Sequence, residues 1–263
     1  MAAAALDDLL RLATRLADES AVIIRRYFRS DVVVHDKSDL SPVTVADREA
    51  EAAMRRLIAA AFPDHGIIGE EHGAERPDAA YVWVLDPIDG TKSFITGKPL
   101  FGTLIALMHE GRAILGVINH PALGERWTGA SGRPTLFNGK PARTRACASL
   151  GRAALYTTSP YMFASAADAA AYERVRKAVK LALFGTDCYG YGLLSSGFAD
   201  LVVEGGLKVY DYCALIPVIE GAGGVVSDWQ GRALGLASDG RVLAAGDAES
   251  HAEALALLAG GDR

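Results

Sequence analysis

The feature that most constrains this chain is the run Tyr81-Val82-Trp83-Val84-Leu85, five apolar residues with no alternation, followed at once by Asp86-Pro87-Ile88-Asp89-Gly90-Thr91. A strand of alternating polarity can leave one face in water, whereas an unbroken apolar run has to be covered on both. The sequence therefore predicts a sheet clad on each side, with a strand that delivers Asp86 to its C-terminal end. Pro87 sets a turn and Asp89 follows three residues after Asp86, so two carboxylates can converge on one point. Gly90 permits close backbone approach, and Thr91 adds a hydroxyl and a main-chain N–H. Carboxylates, a turn carbonyl and water are the hard oxygen ligands that a cation such as Mg²⁺ takes. For such a string taken alone, a plain surface double turn is an equal alternative.

The rest of the chain supplies the covering elements. From Leu6 to Tyr27 the residues Leu6, Leu9, Leu10, Ala13, Leu16, Ala17 and Ile24 recur at three- and four-residue spacing, which predicts an amphipathic helix. A second runs from about Val45 to Phe62, starting at the N-cap Thr44 and stopping before Pro63-Asp64. Thr103–Met108 and Ala113–Ile118 flank Glu110-Gly111 as a hairpin, and Asn138-Gly139 is another turn. Beyond it, helices are expected near Ala166–Val179, Tyr189–Ser196 and Asp211–Glu220, alternating with strands near Leu181–Phe184, Leu201–Val203 and Gly224–Asp228. The fold class is mixed α/β (α+β), with both hairpins and crossovers. At roughly 100–200 residues per domain the length fits one domain, 1–263, with a division into about 1–145 and 146–263 left open.

Composition narrows the function. Lys and Arg total 27 against 32 Asp and Glu, a net charge of −5, which argues against binding nucleic acid or an anionic membrane through the overall field. Any phosphate handled by such a chain calls for a bridging cation. Three cysteines, Cys147, Cys188 and Cys213, without a C-x-x-C pair suggest neither a disulfide framework nor a zinc site. The first residues lack the basic and long apolar regions of a signal peptide, and no stretch approaches ~20 apolar residues. A cytoplasmic protein with no membrane span is expected.

Upstream, Lys37, Asp39, Ser41-Pro42, Thr44 and Asp47 form the pattern K-x-D-x-S-P-V-T-x-A-D. Asp47 by itself is explained as the acid of a capping box begun by Thr44, and Glu70-Glu71 as part of a solvated loop. Their appearance in order with Asp86-Pro87-Ile88-Asp89-Gly90-Thr91, and with Asp211 ahead of Gly221-Ala222-Gly223-Gly224, changes that reading. The four motifs together resemble those of the Mg²⁺-dependent, lithium-sensitive inositol monophosphatase superfamily, over essentially the whole chain.

The resemblance implies a layered α-β-α-β-α sandwich, a homodimer and a small phosphomonoester as substrate. It makes Glu70, Asp86 and the carbonyl of Ile88 ligands of a first Mg²⁺, and Asp86, Asp89 and Asp211 ligands of a second, with a third, weaker ion near Glu70. Thr91, hydrogen-bonded to Asp47, is implied to orient and help deprotonate the attacking water. The main-chain N–H groups of Gly90 and Thr91 are implied to cradle the phosphate where a helix begins.

In inositol-type members the second-metal aspartate usually follows Trp; here Tyr210 precedes Asp211. That departure, Lys92-Ser93-Phe94-Ile95-Thr96-Gly97, and the segment Gly185-Thr186-Asp187-Cys188-Tyr189 are similar to the histidinol-phosphate phosphatase branch, which acts in histidine biosynthesis. The resemblance places Asp187, with Glu204 nearby, in a substrate-lining segment, where an acid would suit a cationic leaving group better than a neutral polyol; alternatively it caps the helix near Tyr189. The expectation is Mg²⁺-dependent hydrolysis of L-histidinol phosphate, with inositol 1-phosphate or a broader set of sugar and nucleotide phosphates as the alternative. A non-catalytic binding protein is disfavoured because Asp47, Glu70, Asp86, Asp89, Thr91 and Asp211 are all present. There is no G-x-S-x-G, no H-E-x-x-H, and no third spaced glycine after Gly221-x-Gly223 for a dinucleotide loop. His72 and His109 have no ligand-spaced partner.

Overall fold

A computed structural model describes residues 3–31, 33–36 and 42–260; Lys37, Asp39 and Ser41 of the upstream motif lie outside them. The chain begins with α1 (Ala3–Tyr27), the short pair β1 (Val34–Asp36) and β2 (Pro42–Thr44), and α2 (Val45–Ala61). Then come β3 (Gly66–Gly69), β4 (Gly73–Glu75), β5 (Tyr81–Asp89), α3 (Thr91–Ile95), β6 (Gly102–His109), β7 (Arg112–His120), β8 (Glu125–Ala130), β9 (Arg133–Phe137) and β10 (Lys140–Pro141). The second half supplies β11 (Ala154–Thr157), α4 (Ala166–Ala178), β12 (Leu181–Phe184), α5 (Tyr189–Ser195), β13 (Leu201–Glu204), α6 (Val209–Tyr212), α7 (Leu215–Gly221), β14 (Val225–Ser227), β15 (Val242–Ala245) and α8 (Ala248–Leu258). No described helix is long and apolar enough to cross a membrane.

Two large sheets result. One runs β10-β9-β8-β7-β6-β5-β3-β4, the other β12-β11-β13-β15-β14. In the first, only β3 and β5 pair in parallel. The β6–β7 hairpin turns on Glu110 and Gly111, φ 49° and 77°, the two left-handed residues that match strand twist in a two-residue turn, and Asn138-Gly139 repeats the device. The apolar run in β5 is covered on both faces as expected. Trp83 and Leu85 join Leu9, Leu16, Met54 and Ile58 of α1 and α2, while Val82 and Val84 face the other way into a cluster with Tyr212, Leu215 and Val218. On the far side of the second sheet, Leu155, Leu201 and Leu243 pack with Tyr172 and Val175 of α4 and Ala254 and Leu258 of α8. The order of layers is α1/α2, first sheet, α5–α7, second sheet, α4/α8: an α-β-α-β-α sandwich.

One expected element is divided. Asp211–Glu220 reads as a single helix, but α6 starts at Val209 and gives way to α7 at Leu215. Asp211 is the third residue of α6 and takes the N–H of Lys208 at 2.6 Å, so the helix must begin before it. Pro217, which has no N–H to donate, then falls in the first turn of α7, where none is needed. The α7 segment lies very close on the sheet: a Cβ on Gly116 or Gly129 would come within 2.0 or 2.2 Å of the carbonyl oxygens of Ala214 and Pro217.

His120, fully buried at the end of β7, points Nδ1 at the Phe101 carbonyl, 2.8 Å away. Burial pushes its pKa down to about 4. An unfolded histidine binds its proton near 6.5, so the unfolded chain takes up more protons below that value, and the stability held by neutral His120 is complete above pH ~6.5 and lost as pH falls towards 4. In urea unfolding, the stability advantage of wild type over His120→Asn is expected to shrink by about 2 kcal/mol between pH 7 and pH 5.

Candidate active site

The site forms where β5 ends. Val82 and Val84 face the middle layer, and Asp86, two residues on, follows them opposite Leu104. Asp89 is three residues further, an odd step that in a regular strand would put it on the other face. The register shifts between them: Asp86 pairs with Leu104 and Asp89 with Gly102, three residues against two. This bulge restores the parity and turns both carboxylates to the same side. The backbone here is held by side chains, with Ile88 N–H on Asp86 Oδ1 at 3.0 Å and Thr103 Oγ1 on the Pro87 carbonyl at 2.9 Å.

From the middle layer α6 brings Asp211, and one carboxylate oxygen from each of Asp86, Asp89 and Asp211 lies within 4.8 Å of the others. Among the described residues no Lys or Arg pairs with any of the three. Glu70 extends β3, its N–H on the Leu85 carbonyl at 3.1 Å, which sets it beside Asp86. The electrostatic result is uniform. Burial, then Glu70, Asp89 and Asp211, raise the Asp86 carboxyl well above the usual range, and burial, then Asp187 and Asp211, do the same to Asp89. Asp211 is pushed up to about 7, chiefly by burial. Unit charges 4 Å apart repel by about 4 kcal/mol near a protein surface. An all-oxygen donor set with uncompensated charge fits a small hard cation.

Asp47 does what its sequence context suggests and keeps an atom spare. Its Oδ2 accepts from Thr44 N–H at 2.8 Å and Thr44 Oγ1 at 2.6 Å, completing the capping box of α2. Its Oδ1 is buried and has no hydrogen-bond partner among the described residues, and burial raises the carboxyl to about 6. The expected Thr91–Asp47 hydrogen bond is not formed: Thr91 Oγ1 donates instead to the Ile88 carbonyl at 3.1 Å. A hydroxyl has one proton to give, and it goes to the carbonyl three residues back in the same turn. Gly90, left-handed at φ 84°, is the N-cap of α3, and no side chain caps that helix.

The second half clamps onto this turn. Cys188 N–H donates to Asp89 Oδ2 at 2.6 Å, and Ser93 Oγ donates to Asp187 Oδ2 at 2.6 Å. Asp187 does not cap α5, whose N-cap is Cys188 without a side-chain cap; it has left-handed φ of 48° and presses on Gly90, where a Cβ would meet its carboxylate at 2.8 Å. Burial raises its pKa, while Ser93, Lys98 and Lys92 oppose the rise. Gly185 is left-handed at φ 80° with Lys98 Nζ against it, and Thr186 is buried. Glu204 ends β13 buried, accepting from Thr158 N–H at 2.7 Å and Tyr191 O–H at 3.0 Å, with burial lifting it to about 7. Sequence reading missed Glu51, Ser93 as the partner of Asp187, and Lys98. For Glu51 one signal existed: it stands one turn after Asp47 and four residues before Arg55.

With this geometry in hand, comparison with known proteins is decisive for the family. The family model described as inositol monophosphatase family matches residues 5–260. The chain belongs to that family. It is 53% identical over 262 residues to the bifunctional phosphatase IMPL2, chloroplastic, of Arabidopsis thaliana, covering 96% of this chain and 75% of that one. It is 38% identical over 236 residues to a histidinol-phosphatase of Chlorobaculum parvum, covering 89% and 91%. A solved inositol monophosphatase from Zymomonas mobilis superposes with a TM-score of 0.90 at 49% identity, covering 98% of this chain and all of the other. As a family member the protein is a phosphoric monoester hydrolase, and its sandwich is the family fold. Because like charges meet at Asp86, the Asp86→Asn variant in chelator at pH 8 is expected to be more stable than wild type by on the order of 1–2 kcal/mol in urea unfolding. Added Mg²⁺ is expected to raise the Tm of wild type and leave that of the variant unchanged.

Proposed function

We propose that this family member hydrolyses L-histidinol phosphate to L-histidinol and phosphate with Mg²⁺ as cofactor. The observation that carries the substrate reading is Asp187: a carboxylate freed from helix capping and set against Gly90, at the edge of the acidic cluster. Histidinol phosphate presents an ammonium group and an imidazole just beyond its ester, and an anionic wall rewards that charge. The likeness to a protein named histidinol-phosphatase supports the same reading.

In this proposal Glu70, Asp86 and the Ile88 carbonyl hold one Mg²⁺, and Asp86, Asp89 and Asp211 hold a second; Glu70 also serves the weaker third. Bound there, the cations offset the repulsion between a phosphate dianion and a hydroxide and lower the pKa of water. Asp47 Oδ1, buried and without a partner among the described residues, is the acceptor towards which the Thr91 hydroxyl would turn once the Ile88 carbonyl is otherwise engaged, and the pair would orient the attacking water and take up its proton. Gly90 and Thr91 N–H groups at the start of α3 meet the phosphate oxygens. Gly185, Thr186, Asp187 and Glu204 form the wall beyond the ester, with Asp187 facing the leaving group.

One observation favours the alternative, an inositol 1-phosphate or broader phosphatase. Lys98 and Lys92 lie close enough to Asp187 to favour its ionised form, and their positive charge offsets part of the negative field that an ammonium group would meet there. The two readings separate in kcat/KM for phosphate release from L-histidinol phosphate and from inositol 1-phosphate, with Mg²⁺ and with chelator. A preference of roughly 100-fold, about 2.7 kcal/mol, for histidinol phosphate is expected, and Asp187→Ala should erase most of it; comparable rates would favour the general phosphatase. Asp86→Ala is expected to lose more activity than Glu70→Ala or Asp89→Ala. Thr91→Val should lose about 10²-fold or more in kcat, and Thr91→Ser far less.

A further inference from the structure

Glu51 is a carboxylate with no exposure to solvent, on α2 one turn beyond Asp47. It does not join the acidic cluster. Its Oε2 accepts from Glu71 N–H at 2.7 Å, and its Oε1 accepts from His72 N–H at 3.1 Å and from Arg55 Nε at 2.7 Å. Arg55 also reaches the Gly73 carbonyl through Nη2, and His72 Nε2 lies 3.1 Å from the Arg48 carbonyl. The turn Glu70–His72 between β3 and β4 is thus tied to α2 at both peptides that follow Glu70. The approach is so close that a Cβ on Gly69 would fall 2.0 Å from Glu51 Oε1.

A buried charge is an expensive way to hold a loop, since its desolvation must be offset by several donors and an ion pair. Here the offset is complete, with three donors on two oxygens, and the object held is the peptide next to Glu70. We infer that Glu51, through the N–H groups of Glu71 and His72, is the positioning residue that aims Glu70 at Asp86 and so sets the affinity of the site for a divalent cation. This rests on the metal reading above. Both oxygens are needed as acceptors: in a Gln, the amide NH₂ would face at least one of the three donors now bound, leaving two N–H groups pointed at each other.

The test is Glu51→Gln in the full chain, with Mn²⁺ as probe. Binding of Mn²⁺ to the protein is measured by electron paramagnetic resonance, alongside the Mg²⁺ concentration for half-maximal phosphate release and kcat at saturating Mg²⁺. Partners that orient a metal ligand typically contribute 10–100-fold in affinity. The expected result is a rise of about 10–100-fold in the Mn²⁺ dissociation constant and in the half-maximal Mg²⁺ concentration, with kcat at saturation within about threefold of wild type. If Glu51→Gln fails to fold, Gly69→Ala, whose methyl displaces the same carboxylate, is expected to give the same pattern. Unchanged Mn²⁺ affinity in a folded variant, with only Tm or kcat reduced, would overturn the inference while leaving the metal reading intact. Wild-type protein that binds no Mn²⁺ would overturn both.

Discussion

Mutual repulsion among carboxylates at the end of β5 is the constraint around which the structure is arranged. Asp86, Asp89, Asp211 and Glu70 gain nothing for the fold by meeting; each would be better solvated apart. They meet because the scaffold overrules them. The bulge in β5 turns Asp86 and Asp89 to one face, the glycine-floored approach of α7 brings α6 and Asp211 over them, and the turn after β3 sets Glu70 alongside. The large apolar clusters on both sides of the first sheet supply the stability that this arrangement draws down.

The groups around the cluster are neutral donors rather than cations. Cys188 N–H meets Asp89, Ile88 N–H meets Asp86 and Lys208 N–H meets Asp211, so each carboxylate is fixed in place by a backbone dipole without its charge being cancelled. A lysine or arginine in the same positions would have settled the repulsion permanently and removed any need for a bound cation. Further out, cationic side chains accompany the carboxylates: Asp187 accepts from Ser93 with Lys98 and Lys92 nearby, and Glu51 pairs with Arg55. The uncompensated charge is confined to where a phosphate ester and its metal would be handled.

How much of this was legible in sequence follows the range of each interaction. The Asp86–Thr91 turn, the Thr44–Asp47 box and the Glu110-Gly111 hairpin are local, and residue type and spacing specify them. The family resemblance added the link to Asp211, which no local rule supplies. The break between α6 and α7 is marked only by Pro217, while the apolar pattern runs on through it. Pairings such as Ser93–Asp187, Cys188–Asp89 and Glu51–Glu71 join segments 20 to 99 residues apart and depend on how the layers dock. The strand β15 is a short apolar run, Val242-Leu243-Ala244-Ala245, and the helix α8 follows an ordinary Asp247 cap, both local signals in the sequence. Asp187 stands one residue ahead of the N-cap Cys188, and its crossing to Ser93 depends on how the two loops dock.

The division of the cluster between the two halves of the chain has a consequence for biogenesis. Glu70, Asp86 and Asp89 leave the ribosome together, while Asp211, and the Cys188 N–H that steadies Asp89, come only with the second half. A nascent chain folds from its N-terminus, so the early sheet carries only part of the carboxylate cluster at its rim. On the metal reading proposed above, cation capture in full would be a late event that reports the docking of the second half onto the first, a seal on a finished molecule rather than a seed for an unfinished one.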